Sequence, residues 1–231
     1  MTRIVYMVTW AGLAVAPAPG AYWIAYEGGP GFPEQVGPWT REFGDEHGFG
    51  HGGAERRIED GIFVLDSLRH DQIFDFYEVR RKIDPMPPFE LFVGEWRVRV
   101  DEPSDPWDVG VSIVRDEPPG WFILKLAPGR IRIYTEALEF PIAPGTFHTY
   151  RFTSADMRQY ELFLDGELLH RGRFDDQTFF NSRFSFGDGV QGRRSISRWD
   201  YVRFGALPDV STSALALVAF LYLNPLVRRQ G

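Results

Sequence analysis

The stretch that most constrains this chain reads Tyr160-Glu161-Leu162-Phe163-Leu164, Asp165-Gly166, Glu167-Leu168-Leu169-His170. Two short apolar runs meet at an Asp-Gly pair. A two-residue type I′ turn needs positive φ at both central positions, and Asp-Gly meets that demand at low steric cost, so the segment predicts a tight β-hairpin. Asp60-Gly61 predicts a second hairpin within residues 56–68, with Ile62-Phe63-Val64-Leu65-Asp66 as its outgoing strand. Residues 148–153 alternate as a strand before the first hairpin. After it come Arg183-Phe184-Ser185-Phe186, a Gly187-Asp188-Gly189 turn, and a last strand over residues 199–204.

The same period of two runs through the middle of the chain. In residues 89–100, Phe92, Gly94, Trp96, Val98 and Val100 share one face, while Leu91, Val93, Glu95, Arg97 and Arg99 share the other. Alternation of this kind puts the first set in a core and the Glu-Arg-Arg row on the opposite surface. Further strands are expected at residues 39–43, 74–83, 109–114, 121–126 and 130–135, separated by Pro- and Gly-rich turns. Residues 22–53 are expected to be largely loop. No segment carries a sustained helical period with caps. About ten to twelve short strands, each with one apolar face, imply an all-β chain folded as a two-sheet antiparallel β-sandwich.

Four segments carry a family likeness: Tyr150-Arg151-Phe152, Leu162-Phe163-Leu164-Asp165-Gly166, Phe186-Gly187-Asp188-Gly189 and Trp199-Asp200-Tyr201-Val202-Arg203-Phe204-Gly205. In that order they resemble the late strands of laminin-G-like members of the concanavalin A-like lectin/glucanase superfamily. The resemblance implies a jelly roll with a concave outer face on one sheet and carbohydrate as the ligand class. It also raises calcium, common in that superfamily. Asp101, Asp105 and Asp108, in one proline-broken loop, are the candidates for hard-oxygen ligands, at a spacing that is not diagnostic.

The two ends read as processing segments. Residues 1–20 have a signal-peptide layout: Arg3, an apolar run over residues 4–15, then small residues and prolines, with cleavage placed before Ala21. The sandwich is assigned to residues 21–205. In residues 206–231, Pro208-Asp209-Val210-Ser211-Thr212-Ser213, an apolar run over 214–223 and Arg228-Arg229 resemble a bacterial PEP-CTERM sorting tail. Asp209-Val210 stands where that pattern has Glu-Pro, and Asn224-Pro225 interrupts the apolar run. The run is short of the ~20 residues of a stable span, so the tail implies transient membrane association. Together the ends imply export to the cell envelope or the extracellular space.

Composition removes several chemistries. There is no cysteine, which excludes disulfides, thiol nucleophiles and cysteine-ligated zinc. A net charge of −7 argues against nucleic acid as a partner. The basic residues are 23 Arg and 2 Lys. That excess fits genome composition, and it also fits recognition of planar carboxylates or sulfates by the guanidinium fork. His47 and His51 sit among Gly48, Gly50 and Gly52, which suit a loop better than a metal-binding helix face.

The glucanases of the resembled superfamily carry alternating carboxylates, Glu-x-Asp-x-(x)-Glu, on one strand. No Glu-x-Asp occurs here; Asp75, Glu78, Glu95 and Glu161 are isolated. Gly-x-Ser-x-Gly and His-Glu-x-x-His are also missing. The sequence therefore points to a non-catalytic carbohydrate-binding module, for acidic glycans if the arginines make the site. Sugars are held by aromatic faces together with polar and charged side chains. The candidates are Glu95, Arg97, Arg132, Tyr134, Arg151 and Glu161 on a polar sheet face, with Trp39, Trp107 and Trp121 in loops or at strand ends. Trp199 is expected to pack at a sheet end and Asp200 to close a turn. Two alternatives remain open at this point. One is a structural envelope or matrix protein whose Glu-Arg row only makes cross-strand ion pairs. The other is a glycoside hydrolase or polysaccharide lyase whose carboxylates come from separate strands.

Overall fold

A computed structural model describes residues 22–44, 53–68, 74–79, 90–116, 119–177, 182–188 and 194–208. The strands are β1 (Tyr22–Tyr26), β2 (Thr40–Gly44), β3 (Glu55–Glu59), β4 (Ile62–Asp66), β5 (Phe74–Val79), β6 (Glu90–Asp101), β7 (Val109–Arg115) and β8 (Gly120–Ala127). They continue with β9 (Arg130–Ile133), β10 (Leu138–Pro141), β11 (His148–Ser154), β12 (Gln159–Leu164), β13 (Glu167–Arg173), β14 (Arg183–Asp188) and β15 (Ile196–Pro208). One helical turn, α1 (Pro33–Val36), starts on Pro33, and the Gln35 side chain accepts the Phe32 N–H at 3.0 Å. The processing segment assigned to residues 1–20, the sorting tail assigned to residues 206–231 beyond Pro208, and His47 and His51 lie outside the described residues; the tail's first three residues, Ala206 to Pro208, belong to β15.

Two antiparallel sheets face each other. The first has the order β13-β12-β11-β6-β15-β4-β3, with β1 beside the second half of β15. The second has the order β10-β9-β8-β7-β14-β5-β2. The inward rows interlock as aromatic pairs across the gap. Phe184 of β14 stacks on Phe204 of β15 at 4.4 Å, Phe122 of β8 meets Phe152 of β11 at 4.8 Å, and Phe186 of β14 meets Trp199 of β15 at 4.8 Å. All six are buried. Burying each such side chain is worth roughly 1.5–3 kcal/mol, with about 0.5–1.5 kcal/mol more for a well-placed ring pair. Gly94 on β6 makes room for this packing, because a Cβ there would lie 3.3 Å from the Phe184 ring.

Both Asp-Gly hairpins form as read. Asp165 and Gly166 have φ of 50° and 89°, Asp60 and Gly61 of 51° and 80°. Asp165 does more than turn the chain. Its carboxylate accepts the Thr149 N–H at 2.8 Å and meets His148 Nδ1 at 2.7 Å, so the hairpin is fastened to β11. In β6 the expected apolar face is the buried one: Phe92, Trp96, Val98 and Val100 all point into the core.

Three expectations are corrected. Residues 22–26 are not loop; Ile24 and Tyr26 are buried and the segment pairs with residues 202–206 of β15. Gly187 and Asp188 do not turn the chain but extend β14, pairing with Phe76 and Asp75 on one side and Gly110 and Val109 on the other. The last strand starts at Ile196 and carries a register shift between Trp199 and Tyr201. That β-bulge absorbs Asp200 and lets both Trp199 and Val202 face the core, where strict alternation would put one of them outside. Trp199 is thus fully buried in mid-sheet, and Asp200 sits in the strand and closes no turn.

Two positive-φ glycines separate conformational cost from steric cost. A Cβ on Gly166 would touch nothing within 4 Å, whereas one on Gly28 (φ 71°) would meet Gly61 O at 2.5 Å and Asp200 O at 2.8 Å. Gly166→Ala is expected to cost about 1–2 kcal/mol, the left-handed penalty alone. Gly28→Ala should cost clearly more, because backbone must also move. Urea denaturation of both variants checks the ranking; equal losses would show that the contact at Gly28 relaxes freely.

Candidate functional site

The sequence-predicted site residues do not share a face. Glu95 and Arg97 on β6, Arg151 on β11 and Glu161 on β12 lie on the outer side of the first sheet. Arg132 on β9, Tyr134 just after it, Trp121 on β8 and Trp107 before β7 belong to the outer side of the second sheet. The two groups are on opposite sides of the sandwich. Trp39 joins neither: it is 3% exposed and meets Phe186 edge-on at 5.0 Å in the core.

The first sheet's outer face is a lattice of ion pairs. Glu95 accepts from Arg203 and from the Tyr201 hydroxyl at 2.9 Å. Arg97 reaches Asp200 across the bulge. Asp101 accepts from Arg99 and from Arg198, each at 2.6 Å, and Arg198 also holds Glu59, which Arg57 holds from the other side. Glu161 accepts from Arg171 at 2.8 Å. Hydrogen bonds from Arg57 and Arg198 hold the Glu59 carboxyl down at about 2. For Asp101, burial works to raise the pKa, but the Arg99 and Arg198 hydrogen bonds outweigh it and keep the group low. The Glu59 and Asp101 carboxyls are held as anions, the opposite of what a general acid needs. A shallow groove of about 440 Å³ at the β11–β13 end of this face is lined by Thr153, Asp156, Glu161, Arg171 and Arg173, with Leu91 at its side.

The second sheet's outer face is built differently. Alternation in β9 buries Ile131 and Ile133 and turns Arg130 and Arg132 outward. A 3-10 turn over Tyr134–Glu136 then leaves Tyr134 49% exposed. Trp107, in the left-handed region at φ 72°, lies under both guanidiniums, 4.8 Å from Arg130 and 6.0 Å from Arg132. Arg132 also lies over Tyr134 at 5.7 Å, and Tyr134 meets Trp121 at 6.1 Å. Glu139 on β10 is the carboxylate here, 3.9 Å from Arg130 and 3.8 Å from Arg132, beyond hydrogen-bond reach. Arg132 Nε is sheltered and has no hydrogen-bond partner, a state that costs about 1–3 kcal/mol when nothing answers it. The central strands add Gly110, Ser112 and Val114 from β7 and Arg183, Ser185 and Gly187 from β14. Glu78 on β5 stands beside Ser185, fully buried and 4.0 Å from Arg183.

Two facing antiparallel sheets with this arrangement have many relatives among solved structures. The chain superposes on an endo-1,3-beta-glucanase from Streptomyces sioyaensis with a TM-score of 0.56 and 13% identity, covering 84% of this chain and 99% of that one. Peanut lectin gives a TM-score of 0.52 at 9% identity, covering 80% and 97%. A Shewanella oneidensis protein of unknown function gives 0.51 at 12% identity, covering 82% and 87%. The fold is the concanavalin A-like jelly roll. No family model and no curated protein matches the sequence.

The jelly roll does not bring the three loop aspartates to one point. Asp101 is held by Arg99 and Arg198, Asp105 accepts the Arg194 N–H at 2.8 Å, and Asp108 is buried against Asp188. Among the described residues no group of three His, Asp or Glu side chains could hold a metal ion.

Asp108 and Asp188 are instead a buried acid pair that sequence reading missed, although both precede strand-bounding glycine or valine. Burial first, and the Asp108 carboxyl second, push Asp188 far above the usual carboxylate range. Asp188 Oδ2 accepts from Ser195 Oγ at 3.2 Å, while Oδ1 finds no donor, as expected if a proton is shared with Asp108. Ser195 N–H in turn donates to Ser67 Oγ at 2.9 Å, so the pair adjoins the junction of β4 and β15. The folded chain therefore keeps a proton that the unfolded chain releases near pH 4, and stability should fall as pH rises above that value. Asp188→Asn can still accept from Ser195 and can donate to Asp108. It is expected to make the decline in melting temperature between about pH 5 and pH 9 shallower. An unchanged slope would show that no proton is shared.

Proposed function

We propose that the protein binds carbohydrate without cleaving it, and that the ligand lies on the second sheet's outer face. The observation that carries this is the outward aromatic group Trp107, Trp121 and Tyr134, held beside two guanidiniums that Glu139 does not engage by hydrogen bonds. Aromatic faces suit the C–H surface of a pyranose, and the edges of the guanidiniums suit its oxygens. On the opposite face the arginines paired with Glu95, Asp101, Asp200 and Glu59 are already committed. That a lectin and a glucanase share the fold makes a sugar ligand the natural reading, though likeness of fold carries no activity by itself.

Absence of cleavage is supported by what the outward positions offer. A glycosidase needs two carboxyl groups at a set separation, one of them able to give a proton. The outward positions of β7 and β14 hold glycine, serine, valine and arginine. Among the described residues Asp188 is a carboxyl pushed well up, and it is buried between the sheets.

The layout of the two ends adds export, a mature chain starting near Ala21, and transient membrane association of a sorting tail in the cell envelope. The ion-paired first sheet favours a second reading, an envelope component that uses that face for protein contacts. The two readings use opposite faces and can be separated by mutation.

Titration of the full chain against a panel of neutral and anionic polysaccharides tests the proposal. Trp121→Ala or Tyr134→Ala should weaken binding about tenfold, ~1.4 kcal/mol, while Arg97→Ala should leave it unchanged. Reducing-sugar release that disappears in Glu78→Gln would overturn the non-catalytic reading, and unaltered binding in both aromatic variants would move the site elsewhere.

A further inference from the structure

We infer that the aromatic face selects anionic sugars, and that Arg132 is its specificity-determining residue; this rests on the glycan reading above. The two faces use their arginines differently. On the first sheet, Arg99, Arg171 and Arg198 place guanidinium nitrogens 2.6–2.8 Å from carboxylate oxygens. Their donors are engaged and their charge is answered locally. On the second sheet, Arg130 and Arg132 share one carboxylate, Glu139, at 3.9 Å and 3.8 Å, and neither makes a hydrogen bond to it. Two positive charges face one negative charge. Arg130 is half exposed and Arg132 about one-third exposed.

Ring contacts position these guanidiniums without using up their donors. Trp107 lies 4.8 Å from Arg130 and 6.0 Å from Arg132, and Tyr134 lies 5.7 Å from Arg132. A cation held over aromatic faces keeps its N–H edges in the guanidinium plane, where a carboxylate or sulfate can take two of them at once. Arg132 Nε is sheltered, so an arriving anion meets the outer Nη edge. Trp121 and Tyr134 lie on the other side of Arg132, at the distance of a neighbouring ring, and offer the sugar an apolar platform while its charged substituent sits on the guanidinium. Lys125 stands directly across the strand pair from Arg132. The protein as a whole carries −7, so attraction of a polyanion cannot come from net charge and has to come from this local arrangement.

The probes are polygalacturonate, the same polymer with its carboxyls reduced to alcohols, and a sulfated galactan. The reduced polymer removes the charge and keeps the sugar chain. Wild type, Arg132→Ala, Arg132→Lys and Trp121→Ala are titrated as full chains at low and high salt, with circular dichroism to check folding. At least tenfold tighter binding of polygalacturonate than of its reduced form is expected, with the gap narrowing at high salt. Arg132→Ala should close the gap while leaving the weaker binding of the reduced polymer intact, and Arg132→Lys should restore part of it, since charge returns without the fork. The sulfated galactan decides whether the preference is for carboxylate alone or for anions generally. Equal binding of polygalacturonate and its reduced form, still lost in Trp121→Ala, overturns this inference and leaves the glycan reading standing. Binding of none of the three polymers overturns both.

Discussion

The stacked pair Phe184–Phe204, at 4.4 Å and nearly parallel, is the contact on which the rest of the structure depends. It joins β14 of one sheet to β15 of the other near the middle of both. Its neighbours follow from it. Trp39 fits edge-on against both rings, Gly94 gives up its side chain to admit Phe184, and the bulge at Asp200 keeps Trp199 and Val202 on the same inward side as Phe204. Only once this seam is fixed do the outward residues of each strand have defined neighbours. The distinction between the two outer faces is a consequence of inward packing.

The two faces then spend their arginines in opposite ways. Exposed ion pairs contribute little singly, about 0–1 kcal/mol each, but the first sheet links Arg57, Glu59, Arg198, Asp101 and Arg99 into one chain of contacts across β3, β15 and β6. Charges bound in this way blunt the outer surface of a sheet against unwanted pairing and hold strand register. The second sheet leaves two guanidiniums on aromatic supports with a distant carboxylate. It also accepts Trp107 at φ 72°, a backbone state that costs a bulky residue about 1–2 kcal/mol. Backbone strain at Trp107 and two guanidiniums without a close carboxylate coincide at this patch, whereas on the first face the sheltered Nε of Arg151 is a comparable unanswered donor.

How much of this could be read from the sequence depended on how local the signal was. Asp60-Gly61 and Asp165-Gly166 announce their hairpins because the turn's demand for positive φ falls on two adjacent residues. The inward row of β6 follows from alternation alone. Residues 22–26 were hidden because a five-residue strand flanked by glycines looks like loop until its partner on β15 is known. The bulge at Asp200 was hidden because Trp-Asp-Tyr-Val-Arg-Phe alternates well enough to pass as a regular strand. The division of the site residues was the largest gap. Period two tells which residues of one strand share a face, but it cannot tell that β6 and β9 belong to different sheets. Glu95 and Arg132 therefore looked like neighbours, and Trp39 looked like Trp107.

That gap also shows where the functional signal lies. Arginine content alone, 23 residues against 2 lysines, marks no site, because arginines such as Arg57, Arg97, Arg99, Arg198 and Arg203 are taken up by pairing on the first sheet. Aromatic content alone marks none either, since Trp39, Trp96 and Trp199 are all core. Rings and guanidiniums meet on both faces: on the first, Arg97 and Arg99 lie over Phe147 and Arg203 over Tyr201, but those three arginines also meet carboxylates, whereas on the second Arg130 and Arg132 lie over rings with no carboxylate in hydrogen-bond reach. On the proposed reading, a planar anion attached to a sugar ring would give the N–H edges of Arg130 and Arg132 an acceptor and the exposed rings a face to cover.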